Sequence, residues 1–145
     1  MTLNITAANA IYMIIAPPLY PTPQQLQGWG VAEAFDTEQA ETAEVQIGVD
    51  GLVASGWLPR VTRQTLTFLA ASTSNDIFEQ IVMAQDQLQQ NFSLTGMVTI
   101  IATGKKYNLP DGTLTRFPAL PNARRVLDHR RFEIIWGFPI TVAPA

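Results

Sequence analysis

Asp50-Gly51 stands between two short runs of alternating apolar and polar residues, which places a tight β-hairpin about a third of the way along the chain. Val45, Ile47 and Val49 alternate with Glu44, Gln46 and Gly48, and the chain then reverses into Leu52, Val53 and Ala54. An Asp-Gly pair accommodates the positive φ values of a type I′ turn, whose twist matches that of paired strands. A two-residue loop predicts Val49 opposite Leu52, Ile47 opposite Ala54 and Val45 opposite Gly56 on one face. The other face then carries Glu44, Gln46 and Gly48 against Trp57, Ser55 and Val53. After Pro59 a second alternating run, Val61 to Leu69, turns Leu66 and Phe68 inward and Thr65 and Thr67 outward. A helix follows, capped by Ser74 or Ser72. Asp76 and Glu79 sit near the positive end of its dipole, and Ile77, Ile81, Ala84 and Leu88 recur on one face, widened by Phe78 and Val82.

Around this centre the pattern is strand-rich. Asn9 to Ile15 reads as a first strand, and Pro17 to Pro23 as an extended connector, because proline cannot continue a central strand. Leu26 to Phe35 reads as a second strand and Asp36 to Ala43 as an acidic exposed loop. Phe92 to Thr103 is a strand ending in the turn Gly104-Lys105-Lys106. Pro110-Asp111-Gly112 joins two short strands, and Asn122 to His129 is irregular and basic. The last strand aligns Phe132, Ile134, Trp136, Phe138 and Ile140 on one face, a row read as core rather than as a stacking platform for nucleic acid. The expectation is one domain, residues 1–145: α+β and mostly β, a β-sandwich or barrel closed by a single helix.

The residue inventory argues against an enzyme. There is no cysteine, which excludes disulfides, thiolate catalysis and zinc-thiolate sites. His129 is the only histidine, and no Gly-x-Ser-x-Gly elbow accompanies it. Thr103-Gly104-Lys105-Lys106 lacks the first glycine of a phosphate loop, since position 99 is threonine. No acid cluster has calcium-loop spacing. No catalytic, cofactor-binding or metal-binding residues are therefore expected. The apolar run Ala10 to Pro17 is far shorter than the ~20 residues of a spanning helix, and no basic residue precedes it as in a secretory signal. No membrane insertion is expected, and the cytosol is the expected site of synthesis.

Charge is distributed unevenly. Residues 1–59 hold six acids and no base, whereas residues 60–145 hold all nine Lys and Arg against six acids. This is either an accident of sampling on one solvated surface or a molecule with unlike poles that attracts its own copies head to tail.

Three stretches carry a family resemblance: Gln46-Ile47-Gly48-Val49-Asp50-Gly51-Leu52-Val53-Ala54-Ser55, then Leu66-Thr67-Phe68-Leu69, then Ser72-Thr73-Ser74-Asn75-Asp76-Ile77. Over residues 44–102 and 130–140 the chain resembles the tail tube proteins of contractile-tailed bacteriophages, which are related to the tube rings of secretion systems and bacteriocins. The resemblance implies a structural virion protein. Its copies would form hexameric rings with edge strands shared between subunits, and the rings would stack into a tube inside a contractile sheath. It also implies assembly in the host bacterial cytoplasm, and sheath, baseplate, tail terminator and tape-measure proteins as partners. Phage DNA would pass through the lumen without specific binding.

An acidic or neutral lining suits that transit, because basic groups would hold phosphates. Glu44, Gln46 and Ser55 are accordingly the channel-facing candidates. Asp36, Glu38 and Glu41 on one side, and Arg124, Arg125, Arg130 and Arg131 on the other, are the ring-contact candidates. The competing reading is a monomeric β-barrel or sandwich that binds a ligand or a partner.

Overall fold

The computed structural model describes residues 10–17, 19–30, 35–39, 42–57, 61–101, 103–120, 123, 125–137 and 139–144. These form strands β1 (Ala10–Ala16), β2 (Tyr20–Gln25), β3 (Phe35–Thr37), β4 (Ala43–Ile47), β5 (Val53–Trp57) and β6 (Thr62–Phe68). Helix α1 (Ser74–Leu88) comes next, then β7 (Leu94–Ile100), β8 (Lys105–Arg116), β9 (Arg130–Trp136) and β10 (Thr141–Pro144). The fold is mostly β with one helix, as the sequence pattern predicts.

One hydrogen-bonded path runs β2-β1-β7-β8-β9-β6-β3, antiparallel throughout, with β10 joined to β8. β8 bends this path into two layers. Its first half, from Lys105, lies between β7 and β10, and its second half, from Gly112, lies against β9. Between the halves Gly96 faces Leu109 but Leu94 faces Gly112, so β8 carries an extra residue, and Asp111 adopts φ 51°. Such a bulge bends a strand and lets it pass from one layer to the next. Pro110-Asp111-Gly112 is thus a bend inside one continuous strand, not a turn between two. Trp136 fills the corner. A Cβ on Gly96 would lie 3.0 Å from its ring, and one on Gly112 would collide with it.

The inner rows meet as alternation predicts, but Thr67, expected to face outward, is buried as well. Tyr12, Ile14, Leu66, Phe68, Phe132, Ile134 and Trp136 are all essentially buried; Phe138 lies outside the described residues. α1 lays Phe78, Ile81 and Val82 into this core, with the Phe78 ring stacked on Phe132 at 4.7 Å. Leu88 is exposed, so the apolar stripe ends before the helix does. Thr73 stands at the N-cap without a side-chain cap bond. Ser72 Oγ accepts from the Ser74 N–H and donates to the Gln27 carbonyl, while Ser74 Oγ accepts from the Gln27 N–H. The serines therefore fasten the helix start to the segment after β2.

Other sequence expectations change as well. Pro21 and Pro23 lie within an edge strand rather than a connector. The Leu26 N–H donates to the Tyr12 carbonyl at 2.8 Å, so even-numbered positions of β2 turn toward β1. The two prolines then fall in the outer row, where a missing N–H costs no ladder bond. The strand expected over Leu26 to Phe35 is interrupted in its described part: Gly28 takes φ +72° and Trp29 makes an isolated bridge to Phe68, while residues 31–34 lie outside the described residues. Asp36 consequently belongs to a strand. The last apolar run also ends at Trp136, and Thr141–Pro144 turns back to pair with β8 as β10.

Candidate assembly interface

The β4–β5 hairpin forms a separate two-stranded sheet. Its loop has three residues rather than two. The Gly51 N–H bonds the Gly48 carbonyl at 3.0 Å, the Gly48 N–H bonds the Leu52 carbonyl at 2.8 Å, and Gly51 takes φ +84°. A turn closed by a left-handed glycine is the second common way to use an Asp-Gly pair. Asp50 Oδ1 adds a bond from the Leu52 N–H. The longer loop shifts the register by one, giving Val45 opposite Ser55, Ile47 opposite Val53 and Ala43 opposite Trp57. A one-residue shift exchanges the faces of a strand relative to its partner.

The consequence is a cleaner division than the sequence reading gave. Val45, Ile47, Val53 and Trp57 share one face, while Glu44 and Gln46 share the other with Gly56 and Ala54. Of the three channel candidates, Glu44 and Gln46 remain together, but Ser55 belongs to the apolar side beside Val45. That apolar side is bare: Val45 is 59%, Ile47 74%, Val53 66% and Trp57 70% exposed. An isolated hairpin of this size is marginal in water, and one that keeps such a face uncovered lacks a partner.

The charged candidates divide as well. Asp36 and Glu38 are exposed at the β3 edge, and Arg125 is exposed between the bridged residues Ala123 and Leu127. Arg131 is exposed but engaged within its own chain. Glu41 and Arg124 lie outside the described residues. Arg130 is a correction to the ring-contact set, because it is 4% exposed. It pairs with Glu79, donates to the Pro118 carbonyl at 2.7 Å and lies 5.5 Å from the Phe132 ring centre. The physical reason is phase: position 130 alternates with Phe132, Ile134 and Trp136, so it faces inward with them. Arg130 ties the helix to the sheet and is not available to a neighbour.

A recess of about 290 Å³ opens between the two layers. β7 and β8 supply Val98, Ile100, Tyr107 and Leu109, β3 supplies Phe35 and Thr37, and Ile140 precedes β10. Gln64 of β6 also lines it, and its amide is already committed. Its Oε1 accepts from the Tyr12 hydroxyl at 2.5 Å and from Trp136 Nε1 at 3.2 Å, and its Nε2 donates to Thr37 at 3.1 Å. Burial pushes the Tyr12 phenol well above its ordinary value, so it stays a donor. The recess is therefore an apolar wall with little unspent hydrogen bonding. Among the described residues no acid, histidine or cysteine cluster could hold a metal, and no helix is long and apolar enough to cross a membrane.

Chains from solved structures of contractile injection machines share this fold. A chain from the structure of the anti-feeding prophage cap (tube terminating cap) superposes with a TM-score of 0.63 at 9% identity, covering 100% of this chain and 94% of that one. A chain of an extracellular contractile injection system, from the PVC sheath/tube terminator in the extended state, gives 0.60 at 10% identity and 99% coverage of both. A chain of the PVC sheath-tube complex gives 0.58 at 10% identity, covering 98% of this chain and 93% of that one. At such identities the likeness is one of fold. No curated protein matches. The sequence itself matches the family model described as Tail fiber protein gp32 over residues 3–138, and the chain belongs to that family. It is a tail-associated protein, which bears out the coarser half of the resemblance.

Proposed function

We propose that this chain, acting as one domain, is a structural ring subunit of a contractile tail. Copies close into a hexameric ring, and rings stack into the tube that carries DNA during ejection. Within the virion tail its partners are the sheath, baseplate, terminator and tape-measure proteins, after assembly in the host cytoplasm. The observation that carries this reading is the β4–β5 hairpin. A family of tail proteins presents here a two-stranded element whose apolar face is uncovered within its own chain. Contacts of that kind, between unlike patches, close into rings or extend into filaments.

Glu44 and Gln46, on the opposite face, then suit a lumen that must not hold phosphate. Asp36, Glu38 and Glu41 meet Arg124 and Arg125 of a neighbour at the ring junction, and Arg131 lines the same junction. Reversing Arg124 and Arg125 to Glu blocks polymerisation and leaves the fold intact; normal tubes from that variant refute the assignment.

Negative-stain microscopy of the concentrated protein tests the function. Rings or tubes are expected, and strict monomers at high concentration contradict it. The likeness to a tube cap and a sheath/tube terminator favours a second reading, a ring that ends the tube instead of repeating along it. Discrete rings that never lengthen distinguish that case. A saturable small-ligand complex of a monomer would instead favour the binding-protein reading.

A further inference from the structure

We propose that Asp50-Gly51 is a site of spontaneous backbone modification, at which aspartate rearranges to isoaspartate. The chain's second Asp-Gly pair, Asp111-Gly112, is shielded from the same change by the fold. The proposal concerns the unassembled chain and does not rest on the ring reading.

The chemistry needs no second molecule except water. The Gly51 amide nitrogen bonds to Asp50 Cγ, and the carboxyl hydroxyl leaves with the amide proton as water. The product is a cyclic imide, and water then adds at either of its carbonyls. Addition at Cγ restores aspartate. Addition at the former backbone carbonyl leaves the chain running through Cγ, with the α-carboxylate as the side group. The water lost in the first step is regained in the second, and nothing is oxidised or reduced.

Closure requires the peptide plane between the two residues to turn until the glycine nitrogen reaches the carboxyl carbon. At Asp50-Gly51 little opposes that turn. Residues 48–52 are all exposed, and nothing lies within 4 Å of where a Gly51 Cβ would stand. The turn gives up the bond from the Gly51 N–H to the Gly48 carbonyl, which water replaces. The Asp50 carboxylate already leans along the chain in the right direction, since Oδ1 accepts from the Leu52 N–H at 3.2 Å.

Asp111-Gly112 has the same composition in the opposite setting. The Asp111 carbonyl accepts from the Gly137 N–H at 2.8 Å, and Oδ1 accepts from the Ser93 hydroxyl at 2.9 Å. Gly112 is buried against the Trp136 ring, which leaves no room for even a methyl group. Turning that peptide plane would break the Gly137 bond and push Gly112 across the ring, so closure waits until the corner opens. The consequence at the hairpin is local. Isoaspartate adds a backbone carbon to the β4–β5 loop and moves the carboxylate from the position that bonds Leu52.

Incubation of the full-length protein, dilute and in neutral buffer, tests the proposal. Samples are digested, and isoaspartyl positions are located by electron-transfer fragmentation. Their carboxylates are counted by methyl transfer from S-adenosylmethionine with an isoaspartyl methyltransferase. Isoaspartate is expected to form at position 50 about 100-fold faster than at 111, because exposed loops open at almost no cost and buried corners open rarely. In the denatured chain the two positions should convert at similar rates, which assigns the gap to the fold. Equal rates at 50 and 111 in the folded protein overturn the proposal. So does a folded rate at 50 far below the denatured one, since the hairpin would then be holding Asp50 as the corner holds Asp111.

Discussion

β9 and the β4–β5 hairpin are written in the same alphabet and meet opposite fates. In β9 the alternate residues Phe132, Ile134 and Trp136 are at most 1% exposed, covered by the second layer and the helix. In the hairpin the alternate residues Val45, Ile47, Val53 and Trp57 are mostly exposed. Alternation states that a face needs cover; it does not state which molecule supplies the cover. The free edges differ in a parallel way. β2 turns Pro21 and Pro23 outward and so withholds the donors a foreign strand would use, whereas β4 and β5 contain no proline.

The contrast can be broken at several points. The largest effect is expected from Trp136→Ala, which empties the corner at Gly96 and Gly112 and should cost about 3–5 kcal/mol in chemical denaturation. Gln64→Leu comes next. It leaves the Tyr12 hydroxyl and Trp136 Nε1 buried without an acceptor, for a loss of about 2–3 kcal/mol by the same measurement.

A smaller effect belongs to Tyr12 at high pH. Its folded-state value is raised, so above pH ~10 the unfolded chain releases a proton that the folded chain keeps, and stability falls by about 1.4 kcal/mol per pH unit from this group. Tyr12→Phe should flatten that part of the alkaline profile. Trp57→Ser should change monomer stability least, within about 0.5 kcal/mol, as for other exposed sites. Sedimentation should nonetheless show assembly lost in that variant. If Trp57→Ser destabilises the monomer as Trp136→Ala does, the two regions do not differ in the way described.

The inner rows of β6 and β9, the existence of the hairpin and the helix were legible because each rests on local periodicity. The hairpin register was not, since Asp-Gly serves both a two-residue turn and a three-residue loop, and only the bonds at Gly48 and Gly51 separate them. The prolines of β2 and the Pro110-Asp111-Gly112 bend were misread for a common reason. Breaker residues also occupy edges and bulges, where the partner strand tolerates them. Arg130 could have been placed from its phase with Phe132, but its charge suggested surface. The recess had no signal at all, because it exists only where two layers meet.

Amide hydrogen exchange on the full-length protein tests the central claim most directly, comparing dilute monomer with concentrated assembly. The account predicts that residues 43–57 exchange rapidly in the dilute protein and become protected on assembly, while β9 is protected in both. Strong protection of residues 43–57 in the dilute monomer would contradict it.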